Sequence, residues 1–178
     1  MVFVGCQKKA PKTQVGIVLP TKDEPRWIQD QTRFMDALKA AGFSAKVLFS
    51  QGDSAKEKAN VEALITEGIK VLIICPHDGT AAAASADLAA NAKVKVISYD
   101  RLIRDTTNVD YYVTFDSVEV GAAWGTYLIS KVPAGKKGNN LYIYAGAASD
   151  NNAFLFFEGA WRELQPKIAD GTFVVRNS

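Results

Sequence analysis

The segment IKVLIICPHDGTAAAASADLAANAKVKVISYDR, residues 69–101, contains the pattern that decides the fold. Residues 69–75 form an almost uninterrupted apolar run, which is typical of a parallel strand covered on both faces. An alanine-rich stretch with helical composition follows over residues 80–92, and a second short apolar run occupies residues 94–98. A strand, a helix and a strand in this order predict a βαβ unit with two parallel strands.

The same alternation extends in both directions from this segment. We predict further strands at residues 15–20, 45–49, 111–115, 141–145 and 172–176. We predict further helices at residues 26–41, from 54 to the stop at Gly68, from 116 to about 131, and from 152 to about 169 with an interruption or bend near Pro166. Ser54 and Glu57 are expected to form a capping box. The fold class is therefore α/β, a Rossmann-like parallel sheet flanked by helices.

Composition excludes several classes of function. The chain has 178 residues, of which 48% are hydrophobic and 22% charged, with a formal net charge of +2. Lysine and arginine are spread along the chain, so no nucleic-acid surface is indicated, and no apolar run reaches the ~18 residues of a membrane span. One histidine, His77, and two cysteines are too few for a Cys/His zinc site. Without a catalytic constellation or a nucleotide fingerprint, we predict no enzyme, no cofactor and no metal.

The first residues differ from the rest of the chain. Residues 3–6, Phe-Val-Gly-Cys, resemble the end of a bacterial lipoprotein signal, in which the cysteine is acylated after cleavage. A frayed terminus with a chance cysteine is the alternative. We predict that residues 1–13 are a signal remnant and tether, that Cys6 is lipidated, and that the protein is extracytoplasmic or periplasmic. Cys75, at the end of a predicted strand, is expected to be a small buried apolar residue.

Polar side chains follow several predicted strands at the sheet edge where ligands bind in open parallel sheets. Asp100 and Arg101 offer an acceptor beside a planar donor group, which suits the vicinal hydroxyls of a sugar, although a structural salt bridge explains them equally well. Arg26 adds a second guanidinium, and Trp27 serves either ligand stacking or core packing. Asp150 to Asn152 are candidate ligands or helix caps. The residues alone leave these alternatives open.

Taken together, these motifs carry a resemblance to a known family. They comprise Leu19-Pro20-Thr21-Lys22 with Arg26-Trp27, residues 96–103, residues 111–116 with Val120-Gly121, and residues 150–153. In this order they resemble the periplasmic sugar-binding proteins of ABC importers, with the greatest likeness to the xylose-binding and multiple-monosaccharide-binding branch. The resemblance runs from about residue 14 to the end.

The resemblance implies a function and a set of binding residues. Two Rossmann-like lobes would close over one monosaccharide of the xylose, glucose, galactose or arabinose class. Members of the family have no enzymatic activity and deliver the sugar to an ABC permease. Carried over by position, the ligand-binding residues would be Lys22, Arg26, Trp27, Asp100, Arg101, Asp150 and Asn152.

The resemblance also implies that family members continue beyond the position of Ser178. We therefore expect a nearly complete first lobe at 14–108 and the incomplete start of a second lobe at 109–178. An interrupted second lobe would expose apolar surface and an unpaired edge, so we expect self-association or binding to a complementary half-chain. An alternative function is that of a sensor or interaction subunit, for example with a membrane histidine kinase, with weak or no sugar binding of its own.

Overall fold

The computed structural model describes residues 13–177, so Cys6 and most of the predicted tether lie outside the described residues. Within that range strands and helices alternate along the chain, except that the strand ending at Tyr99 is followed by another strand that begins at Tyr111. The strands are β1 Val15–Leu19, β2 Ala45–Phe49, β3 Val71–Ile74, β4 Lys95–Tyr99, β5 Tyr111–Val113, β6 Asn139–Leu141 and β7 Phe173–Val175. The helices are α1 Pro25–Ala40, α2 Ser54–Glu67, α3 Ala83–Asn91, α4 Ser117–Ser130 and α5 Asn151–Ala169. The α/β class predicted from the alternation is confirmed.

The first five strands form one parallel sheet in the order β2-β1-β3-β4-β5. Alternate residues of β1 point to opposite faces of this sheet, as the strand period requires. Ile17 and Leu19 pack with Trp27 of α1, whereas Val18 packs with Leu64 of α2. Both faces of the central strands are therefore covered by helices, which accounts for their continuous apolar sequences. Cys75 is buried, as predicted.

The second unit is smaller and is built around the contact between α4 and α5. Strands β6 and β7 pair in parallel as a separate sheet, and Leu141, Leu164 and Phe173 form its small core. Three glycines lie where the two helices meet. A Cβ atom built on Gly159 would lie 1.8 Å from the Val118 carbonyl oxygen, and one on Gly121 would lie 2.1 Å from that of Phe156. The helix backbones are thus in direct contact.

Two local predictions differ from the structure, and a third is tested in part. The N-cap of α2 is Asp53, which accepts a hydrogen bond from the Lys56 N–H, so the predicted capping box of Ser54 and Glu57 is wrong. Strand β6 spans Asn139–Leu141 instead of the predicted residues 141–145, because only these three residues pair with β7. Helix α5 continues through Pro166 to Ala169, so it is not interrupted there, and a bend at Pro166 stays a prediction.

The first sheet extends past the predicted lobe boundary at residue 108. Strand β5 begins at Tyr111 but pairs with β4, so it belongs to the five-stranded sheet. The chain passes from this sheet to the second unit between β5 and α4. The division into 14–108 and 109–178 stays a prediction. No helix within residues 13–177 is long and apolar enough to cross a membrane.

Candidate functional site

A cavity of about 390 Å³ lies between the carboxyl end of the first sheet and the N-terminal ends of α4 and α5. Both units of the chain contribute to its wall. Its lining residues are Glu24, Arg26, Trp27, Asp100, Arg101, Phe115, Val120, Asp150, Asn152 and Phe156. Six of the seven residues that the sequence predicted for ligand binding therefore meet in one place, which we call the cleft. The volume falls in the usual range for small-molecule sites, about 300–1,000 Å³.

The seventh predicted residue, Lys22, does not line the cleft. Its ammonium group lies 5.0 Å from the centre of the Phe49 ring, a cation–π contact at the end of β2. Lys22 follows β1 by only three residues, so its position in the sequence alone could not separate it from Arg26. Its role as a ligand-binding residue stays a prediction without support from its position.

Asp100 lies at the centre of the first unit's contribution to the cleft. Its Oδ1 is 2.9 Å from Nη2 of Arg26, and the Asp100 side chain is only 9% exposed. Desolvation lowers the pKa of Arg26, but contacts with Asp100, Tyr99 and Asp30 outweigh it and raise that pKa above its ordinary value. Arg26 is therefore charged at neutral pH, and Arg26 and Asp100 each retain unused hydrogen-bonding atoms for a ligand.

The backbone at Asp100 explains why this residue can point into the cleft. Its φ is 64°, in the left-handed region that aspartate and asparagine tolerate better than most residues. Its carbonyl oxygen accepts hydrogen bonds from Thr114 Oγ1 at 2.8 Å and from Asn152 Nδ2 at 3.0 Å. The sharp turn after β4 is thus held by groups from two other parts of the chain.

Arg101 and Asp150 connect the two units across the cleft. Arg101 Nε lies 3.0 Å from Asp150 Oδ2, and the two side chains are 19% and 20% exposed. The buried Nε has no hydrogen-bond partner, so this contact is an ion pair without the alignment of a hydrogen bond. Another nitrogen of the guanidinium, Nη1, donates to the Pro76 carbonyl oxygen at 3.3 Å. Arg101 is held in the wall by these two contacts, and further N–H groups of its guanidinium remain for a ligand.

The start of α5 has both of the roles that the sequence left open. Asp150 is the N-cap and accepts a hydrogen bond from the Asn152 N–H at 2.9 Å. The Asn152 side chain is buried and spans the cleft floor, because its Nδ2 donates to Asp100 and its Oδ1 accepts from Ser117 at 3.2 Å. Capping by Asp150 and lining of the cleft are therefore compatible, since different oxygens perform them.

The aromatic surface of the cleft differs from the expectation. Trp27 is 1% exposed, and the guanidinium of Arg26 lies 4.5 Å from the centre of its ring, so the structure shows a packing role. Phe115, which no sequence motif marks as a binding residue, is 68% exposed and lines the cleft together with Phe156. Phe115 stands at the end of a predicted strand. Only the tertiary structure distinguishes it from a core residue.

A buried carboxyl group lies behind the cleft wall. Glu57 of α2 is 1% exposed and accepts a hydrogen bond from the His77 backbone N–H at 2.7 Å. Burial raises the pKa of Glu57 to about 7, although the bond from His77 and the charge of Arg101 act in the opposite direction. Glu57 fixes the loop after β3, whose Pro76 carbonyl holds Arg101.

The chemistry available in the cleft is binding by charge and hydrogen bonds. Carboxylates and guanidinium groups alternate along its wall, and aromatic rings lie beside them. Across residues 13–177, no group of three or more histidine, cysteine or acidic residues is arranged to hold a metal ion. The arrangement suits a small, neutral ligand with several hydroxyl groups.

Sequence comparison identifies relatives of about twice the length. The multiple sugar-binding periplasmic receptor ChvE of Rhizobium radiobacter is 39% identical over an alignment of 178 positions that covers 99% of this chain and 50% of ChvE. The D-xylose-binding periplasmic protein of Escherichia coli is 29% identical over 93% of this chain and 49% of its own length. The chain thus spans about half the length of the curated relatives it matches.

Two solved structures show the same fold. The carbohydrate transporter solute-binding protein of Chloroflexus aurantiacus, in complex with D-glucose, is 73% identical, with a TM-score of 0.87 over 92% of this chain and 48% of that protein. The ABC transporter solute-binding protein of Clostridium phytofermentans, with bound β-D-glucose, is 34% identical, with a TM-score of 0.85 over 91% and 51%. The family model described as "Periplasmic binding protein domain" matches residues 15–176. The chain therefore belongs to the periplasmic binding protein family.

Proposed function

We propose that the protein is the solute-binding component of an ABC sugar importer and that it binds a monosaccharide in the cleft. One observation carries this proposal: two ion pairs, Arg26 with Asp100 and Arg101 with Asp150, line a single cavity to which both units of the chain contribute. The similarity to sugar-binding relatives along nearly the whole chain supports the same function.

A sugar matches both kinds of surface in the cleft. Each hydroxyl group can donate to a carboxylate of Asp100 or Asp150 and accept from a neighbouring guanidinium. The C–H face of a pyranose is apolar and fits against an aromatic ring, for which exposed Phe115 is the best placed candidate. The ligand is bound and released unchanged, because no step of transport needs a proton transfer or a nucleophile in this cleft.

Two of the similar proteins were solved with glucose, and others are named for xylose, so we propose a ligand in the class of glucose, xylose, galactose and arabinose. We further propose an extracytoplasmic location, because the curated relatives are periplasmic. Lipidation of Cys6 would tether the chain to the outer face of the cell membrane. A permease would then receive the sugar.

Calorimetric titration of the chain with these four sugars tests the proposal. At least one sugar is expected to give saturable heat with a dissociation constant of about 10 μM or tighter, because charged hydrogen bonds contribute strongly in a site of this polarity. D-mannitol, an open-chain polyol without the pyranose face, is the matched control ligand and is expected to bind at least about 10-fold more weakly. The absence of binding by all four sugars would contradict the proposal.

The second candidate function is that of an interaction subunit, and a different observation favours it. Several large apolar side chains of the second unit are exposed, among them Trp124, Tyr127 and Phe157. Trp124 and Phe157 also line an open cavity of about 290 Å³ beside β6. An apolar patch of this kind is typical of surfaces that contact another polypeptide. We propose that a second copy or a complementary half-chain covers it; a sensor kinase is a further candidate partner.

Sedimentation velocity at micromolar concentration tests this association. The wild-type chain is expected to form dimers or larger species, because burial of these aromatic side chains is favourable at about 25 cal/mol per Å². The double substitution Trp124→Gln with Phe157→Gln is expected to shift the population towards monomer. Phe43→Gln removes an isolated exposed ring of the first unit and is the matched control. A wild-type chain that sediments as a clean monomer would refute self-association and leave only a separate partner chain.

A further inference from the structure

A buried carboxylate outside the cleft, that of Asp30 in α1, contacts Arg26 from behind. The Asp30 side chain is only 8% exposed, and its Oδ2 lies 3.5 Å from Nε of Arg26. The two residues are four positions apart on one helix, which places them on the same face. Aspartate is rarely buried unless it is paired. The contact with Arg26 is therefore a reason for this carboxylate to be buried.

Asp30 is itself fixed by the neighbouring strand. Its Oδ2 accepts a hydrogen bond from the hydroxyl of Tyr99 at 3.1 Å. Tyr99 is the last residue of β4, directly before Asp100, and its ring packs edge-on against Phe34 with centroids 5.0 Å apart. Burial, followed by the charge of Asp30, raises the pKa of Tyr99, so its hydroxyl remains a donor at neutral pH.

The guanidinium of Arg26 is thereby held on three sides. Asp30 approaches its Nε edge, Asp100 lies 2.9 Å from Nη2, and the ring of Trp27 lies 4.5 Å from Cζ. The Arg26 side chain is nonetheless 47% exposed, and a long side chain with that much exposure would otherwise populate several rotamers. Asp30 restricts this freedom without occupying any part of the cleft.

We propose that Asp30 is a positioning residue: its carboxylate, fixed by Tyr99, holds the Arg26 guanidinium against Trp27 and Asp100 so that the free N–H groups of Arg26 face the ligand. This inference rests on the proposed sugar-binding function. The inference gives a role to the carboxylate of Asp30, which does not line the cleft. Asp30 also lies 3.8 Å from Nη1 of Arg33, but that side chain is 76% exposed and faces away from the cleft.

The substitution Asp30→Asn tests the role of the charge with little change in shape. Titration with D-glucose, or with whichever of the four sugars binds the wild type most tightly, is expected to show about 10-fold weaker binding. Tyr99→Phe removes the hydroxyl that fixes Asp30 and that also contacts Arg26; it is expected to weaken binding about threefold and covers the case in which Asp30→Asn does not fold. Arg33→Gln removes the exposed partner of Asp30 and is expected to bind as the wild type does. Wild-type affinity in a folded Asp30→Asn or Tyr99→Phe variant would overturn the inference.

A readout without sugar separates this inference from the proposed function. In ¹⁵N-resolved NMR spectra of the ligand-free chain, the Arg26 Nε–H proton is expected to exchange with solvent at least about 10-fold faster in Asp30→Asn than in the wild type or Arg33→Gln. An unchanged exchange rate would overturn the role of Asp30 whatever the sugar affinity. Conversely, faster exchange together with no sugar binding by the wild type would support the positioning of Arg26 and refute the proposed function.

Discussion

Substitution of Asp100 by alanine is expected to weaken sugar binding about 1,000-fold, from the micromolar to the millimolar range. Two losses contribute. The cleft loses its most buried carboxylate, and Arg26 loses its 2.9 Å partner, which frees its guanidinium to turn towards solvent. Alanine also tolerates the φ of 64° at this position less well than aspartate does. Calorimetric titration with the sugar that binds the wild type best measures the effect.

Asp100→Asn is the variant that separates these causes. Asparagine tolerates positive φ and keeps one acceptor oxygen, so the backbone conformation is retained while the charge and one acceptor are lost. We expect a loss of affinity of about 30-fold, between the values for the wild type and Asp100→Ala. Asp36→Asn, at an exposed aspartate of α1 outside the cleft, controls for a change in net charge and is expected to have no effect. Wild-type affinity in Asp100→Ala would place the sugar somewhere other than the cleft.

Substitution of Gly159 by alanine is expected to destabilise the protein by about 3 to 5 kcal/mol. The new Cβ would lie 1.8 Å from the Val118 carbonyl oxygen and 2.7 Å from the Ala122 backbone nitrogen. Both contacts are with backbone of α4, so no side chain can move aside and the two helices must separate. The intrinsic helix propensity of alanine, about 1 kcal/mol better than that of glycine, acts in the opposite direction and is smaller. Urea unfolding followed by circular dichroism measures the change.

Two further variants make this result specific. Glu158→Ala changes the adjacent, exposed residue of α5 and is expected to alter stability by less than about 0.5 kcal/mol. Gly125→Ala meets the Glu163 Cβ at 2.8 Å and the Ala160 carbonyl oxygen at 3.0 Å, so a smaller loss than for Gly159→Ala is expected. A Gly159→Ala protein as stable as the wild type would show that α4 and α5 do not pack through this glycine.

The sequence predicted the ends of helices well where a nearby residue sets the end, such as a glycine at the C-terminus or a capping side chain at the N-terminus. Gly68 ends α2 with a φ of 84°, and Asp116 caps α4 by accepting a hydrogen bond from the Glu119 N–H, both as a sequence pattern indicates. The prediction failed at β6, because the apolar run after Asn140 continues past the last residue that β7 can pair with. A strand ends where its partner ends, and the sequence of one strand does not contain that information.

Glu57 and Asp30 illustrate the same limit for polar residues. Glu57 has the spacing of a helix cap, yet its side chain turns inward to a backbone N–H that lies 20 positions later in the chain. In the sequence, Asp30 resembles the other charged residues of α1, but its hydrogen-bond partner Tyr99 is 69 positions away. Neither contact leaves a periodic signal, so neither residue could be recognised before the fold was known.

The sequence by itself determined the α/β alternation, the parallel sheet and the family, because these depend on hydrophobic period and on short motifs read in order. It also brought forward Asp100, Arg101, Asp150 and Asn152, since the polar residues that follow buried strands collect at one sheet edge. Only the tertiary structure decided that Lys22 lies outside the cleft, that Trp27 is covered by Arg26, and that Phe115 is the exposed ring. The physical reason is that a side chain's exposure and partners are set by elements distant in sequence.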